Sequence, residues 1–181
     1  YLQDTQKISL AHFTHLYPYA TGKYMLLDSS TRRNLELTET LREKQKRGSL
    51  LWVLDKTKTA MGARTLRHFI EQPLIYKEDI EYRQGAVEAL FKDSISRDEL
   101  REYLNPIYDM ERLLSKVSYQ SINPRDMIAF RNSLEMLPHI KPVLESFENP
   151  QIVELRDEID DLKDVYKMIF DAIMEEAPLQ S

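Results

Sequence analysis

Apolar side chains recur at alternating intervals of three and four residues through the second half of this chain, which places them on one face of an α-helix. The pattern runs furthest after Asn149 and Pro150, a pair that favours a helix start. The positions that continue it, called the seam below, are Ile152, Leu155, Ile159, Leu162, Tyr166, Ile169 and Ile173. The sequence therefore predicts one long helix over residues 150–177, about 42 Å in length at about 1.5 Å per residue.

We expect the seam to face a bundle of other helices, with Asp157, Asp161 and Asp164 exposed on the opposite side. Shorter stripes of the same spacing occur at Ile107, Met110, Leu114 and Val117, and again at Met127, Phe130, Leu134 and Leu137. The second stripe follows Asn123 and Pro124, another helix start, and residues 138–142 contain two prolines that should kink or interrupt the helix. The predicted fold class is mainly α, a helical bundle with one long helix.

The N-terminal part of the chain has a different pattern. Residues 24–27 form a short apolar run between Gly22-Lys23 and a polar turn, which predicts a small β element near the N-terminus. Residues 34–38 fit either a second short strand or the first turn of a helix. Thr57 or Thr59 can cap the helix that Pro73 ends.

Composition excludes several classes of function. None of the 181 residues is cysteine, so disulfides, thiolate metal sites and cysteine nucleophiles are ruled out. The net charge of −5 is unevenly distributed: residues 1–72 hold 12 Lys/Arg and 7 Asp/Glu, whereas residues 73–181 hold 13 and 23. No apolar run is long enough to span a bilayer. The absence of an initiator Met and of a secretory leader leads us to expect a cytoplasmic fragment of a longer chain.

No catalytic or metal site is predicted. A phosphate-binding loop needs Gly-x4-Gly-Lys-Ser/Thr, and the sole Gly-Lys pair, Gly22-Lys23, has no such context among the four glycines. His12 and His15 have helical spacing but lack further ligands, so surface or interface roles are favoured for them. The carboxylates between residues 157 and 164 alternate with the seam and are best explained as a solvated helix face.

The one dense basic run is the candidate binding site. It consists of Arg42, Lys44, Lys46 and Arg47, just before Gly48. These cations can contact DNA phosphates or form a solvated loop, and the absence of interleaved aromatic residues favours the loop.

Several segments resemble the core (lever) domain of MutS-type DNA mismatch-repair ATPases. The sharpest are LLDSSTRRNLEL at residues 26–37, GSLLWVLD at residues 48–55 and the segment 57–74. Residues 109–114 and 123–126 add to the similarity, which covers almost the whole chain. By this resemblance, residues 1–20 are the end of a connector domain and its linker. Residues 21–181 are then the core domain, truncated before the DNA-gripping clamp.

The resemblance implies a mechanical role. In such a protein the long lever helix would couple DNA-binding and ATPase domains that this fragment lacks. The fragment itself would not be an enzyme and would bind no cofactor, whereas the parent chain would be a DNA-dependent ATPase that uses ATP and Mg. The implied partners are the other domains of the same chain, mismatched DNA through the parent protein, a MutL-type protein and a homodimer partner, without a membrane. In use the protein would be associated with the bacterial nucleoid.

Two alternatives remain at this point. The chain can belong to a MutS paralogue that handles recombination intermediates instead of mismatches. It can also be a helical protein-interaction scaffold unrelated to ATP. Upstream and downstream gene sequence would separate these readings.

Overall fold

A computed structural model describes residues 21–173. Within this range the chain forms nine α-helices after a 3-10 turn at Thr21–Lys23. The helices are α1 Ser29–Asn34, α2 Leu50–Leu54, α3 Ala60–Glu71, α4 Lys77–Lys92, α5 Ser94–Leu104, α6 Met110–Ser118, α7 Pro124–Leu144, α8 Pro150–Glu158 and α9 Lys163–Ala172. The prediction of a mainly helical fold is confirmed. No helix among the described residues is long and apolar enough to cross a bilayer.

The helix starts lie at the residues whose side chains cap them. Asn123 and Asp126 form a reciprocal capping box in front of α7, and Asn149 accepts bonds from two amides of α8. Thr59, rather than Thr57, caps α3 through a 3.0 Å bond from the Gly62 amide. Each side chain satisfies amides that the first helical turn leaves without partners.

Helix α7 organises the fold. It has 21 residues, about 31 Å at about 1.5 Å per residue, and it packs against α5, α6, α8 and α9. The first hydrophobic cluster lies at its C-terminal half and contains Ala86, Ile107, Ile140, Leu144, Phe147 and Ile152. The second lies at its N-terminal half and contains Leu113, Phe130, Leu134 and Ile169. One continuous helix therefore contributes to both cores.

The two prolines at positions 138 and 142 were expected to kink or interrupt the helix. They do not interrupt α7, which continues through both of them to Leu144. Proline removes a backbone donor and crowds the preceding turn. Here the buried side chains of Ile140, Val143 and Leu144 keep this part of the helix against the first cluster. Tertiary packing therefore outweighs the local preference of the two prolines.

The prediction of a single long lever helix over residues 150–177 is wrong for the part of that range that the structure describes. Helix α8 ends at Glu158, and α9 begins only at Lys163. Asp160 accepts a 3.0 Å bond from the Leu162 amide, and Leu162 has a left-handed backbone with φ 47°. An aspartate that bonds a nearby amide competes with the helical ladder, which gives a physical reason for the break. Residues 174–177 lie outside the described range.

The break changes which seam positions are buried. Ile152 and Ile169 are buried, but in different clusters, whereas Leu155 is 52% exposed. The 3-4 spacing therefore serves two short helices that pack on opposite halves of α7. Asp157 and Asp164 are exposed as expected, and Asp161 is half-buried beside Lys163.

The prediction of a small β element at residues 24–27 is also wrong, since no strand is formed within residues 21–173. Tyr24 forms one isolated antiparallel bridge with Leu74, flanked by a 2.8 Å bond from the Met25 amide to the Pro73 carbonyl. Proline has no amide to donate, so this partner segment cannot extend the ladder. Residues 34–38 form neither a strand nor a helix start: α1 ends at Asn34, and a turn with Glu36 at φ 48° follows.

Candidate functional site

The four basic residues predicted as a binding site lie on a closed loop between α1 and α2. The Thr40 amide donates to the Gln45 carbonyl at 2.9 Å, and the Lys44 amide donates to the Thr40 carbonyl at 3.1 Å. Gly48 ends the loop at φ 94°, a left-handed conformation that glycine adopts without strain. The buried Ser49 then caps α2 and donates a 2.6 Å bond to the Lys46 carbonyl. The loop is therefore attached to a helix start.

The structure separates the four cations into two kinds. Arg42, Lys44 and Arg47 are exposed, and none of them forms an ion pair within residues 21–173. Lys46 instead pairs with Asp55 at the end of α2. The hydrogen bond from Lys46, followed by that from the Thr57 hydroxyl, lowers the pKa of Asp55 to about 2. Lys46 therefore has a structural partner, and three cations face solvent.

Two arginines on α3 have partners inside the domain. Arg64 donates to both carboxylate oxygens of Asp109 at 2.8 Å and to Glu111 at 2.5 Å. The hydrogen bond from Arg64 holds the pKa of Asp109 below its usual value. Arg67 pairs with Glu71 at 2.8 Å. The two-pronged contact of Arg64 joins α3 to the start of α6.

A charged hollow between α6 and α7 was not predicted. Arg112, Lys116 and Arg125 lie on its wall with Asp109 and Asp126, around about 450 Å³ of space. Lys116 bonds Asp126 at 2.7 Å and lowers the pKa of that carboxyl. The i, i+4 spacing of Arg112 and Lys116 could have indicated two cations on one face of α6. Only the packing of α6 on α7 brings Arg125 to the same hollow.

Histidines and carboxylates form no group suited to a metal ion within residues 21–173. The His68 ring lies edge-on to Tyr24 at 5.9 Å, and the His139 ring stacks on Tyr103 at 5.3 Å. His12 and His15 lie outside the described residues. Two carboxylates between residues 157 and 164 have local partners: Asp157 pairs with Arg156, and Asp161 pairs with Lys163.

An apolar groove between α3 and α4 was also missed. It encloses about 600 Å³, and its wall includes Phe69, Pro73, Leu74, Val87 and Phe91. Val87 and Phe91 are 63% and 76% exposed, which is unusual for adjacent apolar side chains on one helix face. Their i, i+4 spacing was visible in the sequence, but it did not reveal that Ala86, Ala89 and Leu90 are the residues of this helix that pack in the core.

These features define a class of protein: a mainly helical domain organised around α7, in whose described residues no group of histidine and carboxylate side chains is suited to a metal ion. The sequence profile of the family MutS domain III matches residues 30–181. The DNA mismatch repair protein MutS of Lachnoclostridium phytofermentans is 60% identical over 179 residues, 99% of this chain and 19% of that protein. The corresponding protein of Ruminiclostridium cellulolyticum is 51% identical over 99% of this chain and 20% of its own length.

The chain belongs to the MutS domain III family. The similarity to the core domain predicted from the sequence is thereby confirmed. The chain spans about a fifth of the length of the curated relatives that it matches.

Proposed function

We propose that this domain is the mechanical link of a bacterial DNA mismatch-repair protein, joining a DNA-binding part to an ATP-hydrolysing part outside this chain. The observation that carries the proposal is α7, which runs through both hydrophobic clusters and contacts four other helices. A stiff element shared by two cores transmits a displacement of one core to the other. The relatives reported above are named mismatch-repair proteins, which favours this role over that of a recombination paralogue.

ATP chemistry belongs elsewhere in such a protein. No Gly-x4-Gly-Lys-Ser/Thr sequence occurs in this chain, so it lacks the phosphate-binding loop of P-loop ATPases. On this proposal the longer protein supplies the site for ATP and Mg, and this domain alone does not hydrolyse ATP. A MutL-type protein and a second copy of the longer protein remain expected partners of the whole molecule.

The coupling role can be tested by softening α7 at its exposed face. Glu135 and His139 lie on that face, four residues apart. In the full-length mismatch-repair protein, Glu135→Gly with His139→Gly should weaken the helix by about 1 kcal/mol per site without removing a core side chain. We expect ATPase activity without DNA to persist and its modulation by mismatched DNA to fall severalfold.

The matched control is Glu135→Ala with His139→Ala, which removes the same side chains and keeps a good helix former. It should retain modulation by mismatched DNA. Thermal unfolding of both variants must show that they are folded at the assay temperature. Full modulation in the glycine pair would show that α7 is not the route of coupling.

We further propose that Arg42, Lys44 and Arg47 form a contact for DNA phosphates, since all three are exposed on one loop. Changing the three to Gln in the full-length protein should weaken binding of matched and mismatched duplexes alike. It should also reduce the salt dependence of binding, because fewer counterions are released. Lys167→Gln, at an exposed position on α9, is the control for charge alone. An unchanged salt dependence in the triple variant would assign the loop a purely structural role.

A further inference from the structure

Arg131 on α7 is the one charged side chain that is buried among residues 21–173, with 7% of its surface exposed. Phe130, Ser133 and Leu134, its neighbours along the helix, are buried as well. The Arg131 guanidinium lies 5.4 Å from the centre of the Phe170 ring on α9. A guanidinium keeps its positive charge at every physiological pH. The interface between α7 and α9 therefore contains a buried cation.

The described part of the chain satisfies little of this cation. Its one hydrogen bond runs from Nη2 to Oδ1 of Asn132, the next residue, and at 3.4 Å it is longer than a usual N–H···O bond. Glu135 lies four residues further along, which is the spacing of a helical ion pair, but it is exposed. Arg131 forms no ion pair with Glu135 or with any other carboxylate of residues 21–173. Most of its five N–H donors therefore have no partner within that range.

A buried charge without a counter-ion opposes folding. Removing a guanidinium from water costs free energy that is recovered only in an ion pair with good hydrogen bonds. An apolar side chain of similar length, such as methionine, would fill the space between α7 and α9 without that cost. Packing within the described residues therefore gives no reason for an arginine at position 131, whereas a counter-ion from outside them does.

The geometry of the site favours a carboxylate side chain as that counter-ion. A guanidinium and a carboxylate are both planar and pair through two parallel N–H···O bonds. The Phe170 ring is 51% exposed and stacks on Tyr166 at 6.0 Å, so the site has an open side along this ring. A single side chain can enter there. A DNA duplex is too wide and stiff for its phosphates to reach a cation with so little exposed surface.

We propose that Arg131 anchors an aspartate or glutamate side chain from another part of the longer protein. This chain covers about a fifth of the relatives reported above, so most of such a protein is available to supply the carboxylate. The ion pair attaches that part to the interface between α7 and α9. The proposal adds a contact to the proposed function, and it holds whether or not α7 transmits a displacement.

The test compares one substitution in two lengths of the protein. Arg131→Met removes the charge and keeps an unbranched side chain. In the 181-residue chain, which on this proposal lacks the carboxylate, we expect the variant to melt at the same temperature as the unsubstituted chain or higher. In the full-length protein without DNA, Arg131→Met should lower the melting temperature of this domain by about 6 °C or more, as expected when a buried ion pair is broken.

The matched control is Arg125→Met, since Arg125 lies on the same helix, is exposed and forms no ion pair within residues 21–173. It should leave both melting temperatures unchanged. If Arg131→Met lowers the melting temperature of the 181-residue chain more than Arg125→Met does, Arg131 is already paired inside that chain and the proposal is overturned. An unchanged melting temperature of the full-length variant overturns it as well.

Duplex DNA gives the remaining comparison. If Arg131→Met lowers the melting temperature of the full-length protein only when duplex DNA is present, the counter-ion is a phosphate and the proposal is overturned. None of these measurements depends on modulation of the ATPase by mismatched DNA. A failure of this proposal is therefore distinguishable from a failure of the coupling role.

Discussion

Ser133 joins α7 to the loop before α6 through one buried hydroxyl. Its oxygen accepts a 3.0 Å bond from the Tyr108 amide and donates a 2.8 Å bond to the Ala129 carbonyl one turn earlier. The side chain has no exposed surface. Ser133→Ala removes the acceptor and leaves the Tyr108 amide facing a methyl group. An amide deprived of its partner in this way costs about 1–3 kcal/mol in the free energy of unfolding.

Ser115 on α6 provides a matched control. Its hydroxyl donates a 2.8 Å bond to the Glu111 carbonyl four residues earlier, just as the Ser133 hydroxyl donates to Ala129, but Ser115 is exposed and accepts no tertiary bond from residues 21–173. Alanine is the better helix former by up to about 0.5 kcal/mol, and this gain applies equally to both substitutions. The difference between the two variants therefore isolates the bond from the Tyr108 amide.

The assay is equilibrium unfolding of the 181-residue chain in urea, with thermal unfolding as a second readout. We expect Ser133→Ala to be less stable than Ser115→Ala by about 1–3 kcal/mol, with each kcal/mol lowering the melting temperature by roughly 2–4 °C. The slope of unfolding free energy against urea should be the same for both. A difference below about 0.5 kcal/mol would refute the reasoning, since the amide would then have found water or another acceptor.

Three further outcomes follow from the geometry. Ile152→Ala should lower the free energy of unfolding by about 2–5 kcal/mol, whereas Leu155→Ala on the same helix should lower it by under about 1 kcal/mol. Equal losses in urea unfolding would contradict this and would mean that both seam positions are buried. Gln120→Gly should raise stability by about 0.5–1 kcal/mol relative to Gln120→Ala, because Gln120 directly follows Tyr119, the C-cap of α6, and has φ 52°. Asp55→Asn should lower stability by under about 1 kcal/mol at pH 7 because its partner Lys46 is half-exposed. The depressed pKa of Asp55 means that this loss is complete above about pH 4 and fades as pH falls through about 2, which acid titration of both proteins would show.

Helix starts were readable from the chain because they depend on neighbours in sequence. Asn123 with Pro124 and Asn149 with Pro150 begin α7 and α8 as expected, since a cap bonds amides two or three residues away. The mainly helical fold followed from the 3-4 spacing for the same local reason. The sequence also indicated that the basic run before Gly48 lies on a loop. It did not indicate that Lys46 pairs with Asp55, because Asp55 lies nine positions further along the chain.

The sequence by itself determined the helical class, the lack of a nucleotide-binding loop and the similarity to MutS domain III, because these depend on residue types and short spacings. Only the tertiary structure decided where the last helix breaks and which face of each helix is buried. The same spacing suits one helix on one partner or two helices on different halves of α7. The choice depends on the energy of packing Ile152 with Ala86 and Ile107 in one cluster and Ile169 with Leu113 and Phe130 in the other, between positions distant in sequence. Periodicity specifies that a face is apolar, but only packing specifies what that face meets.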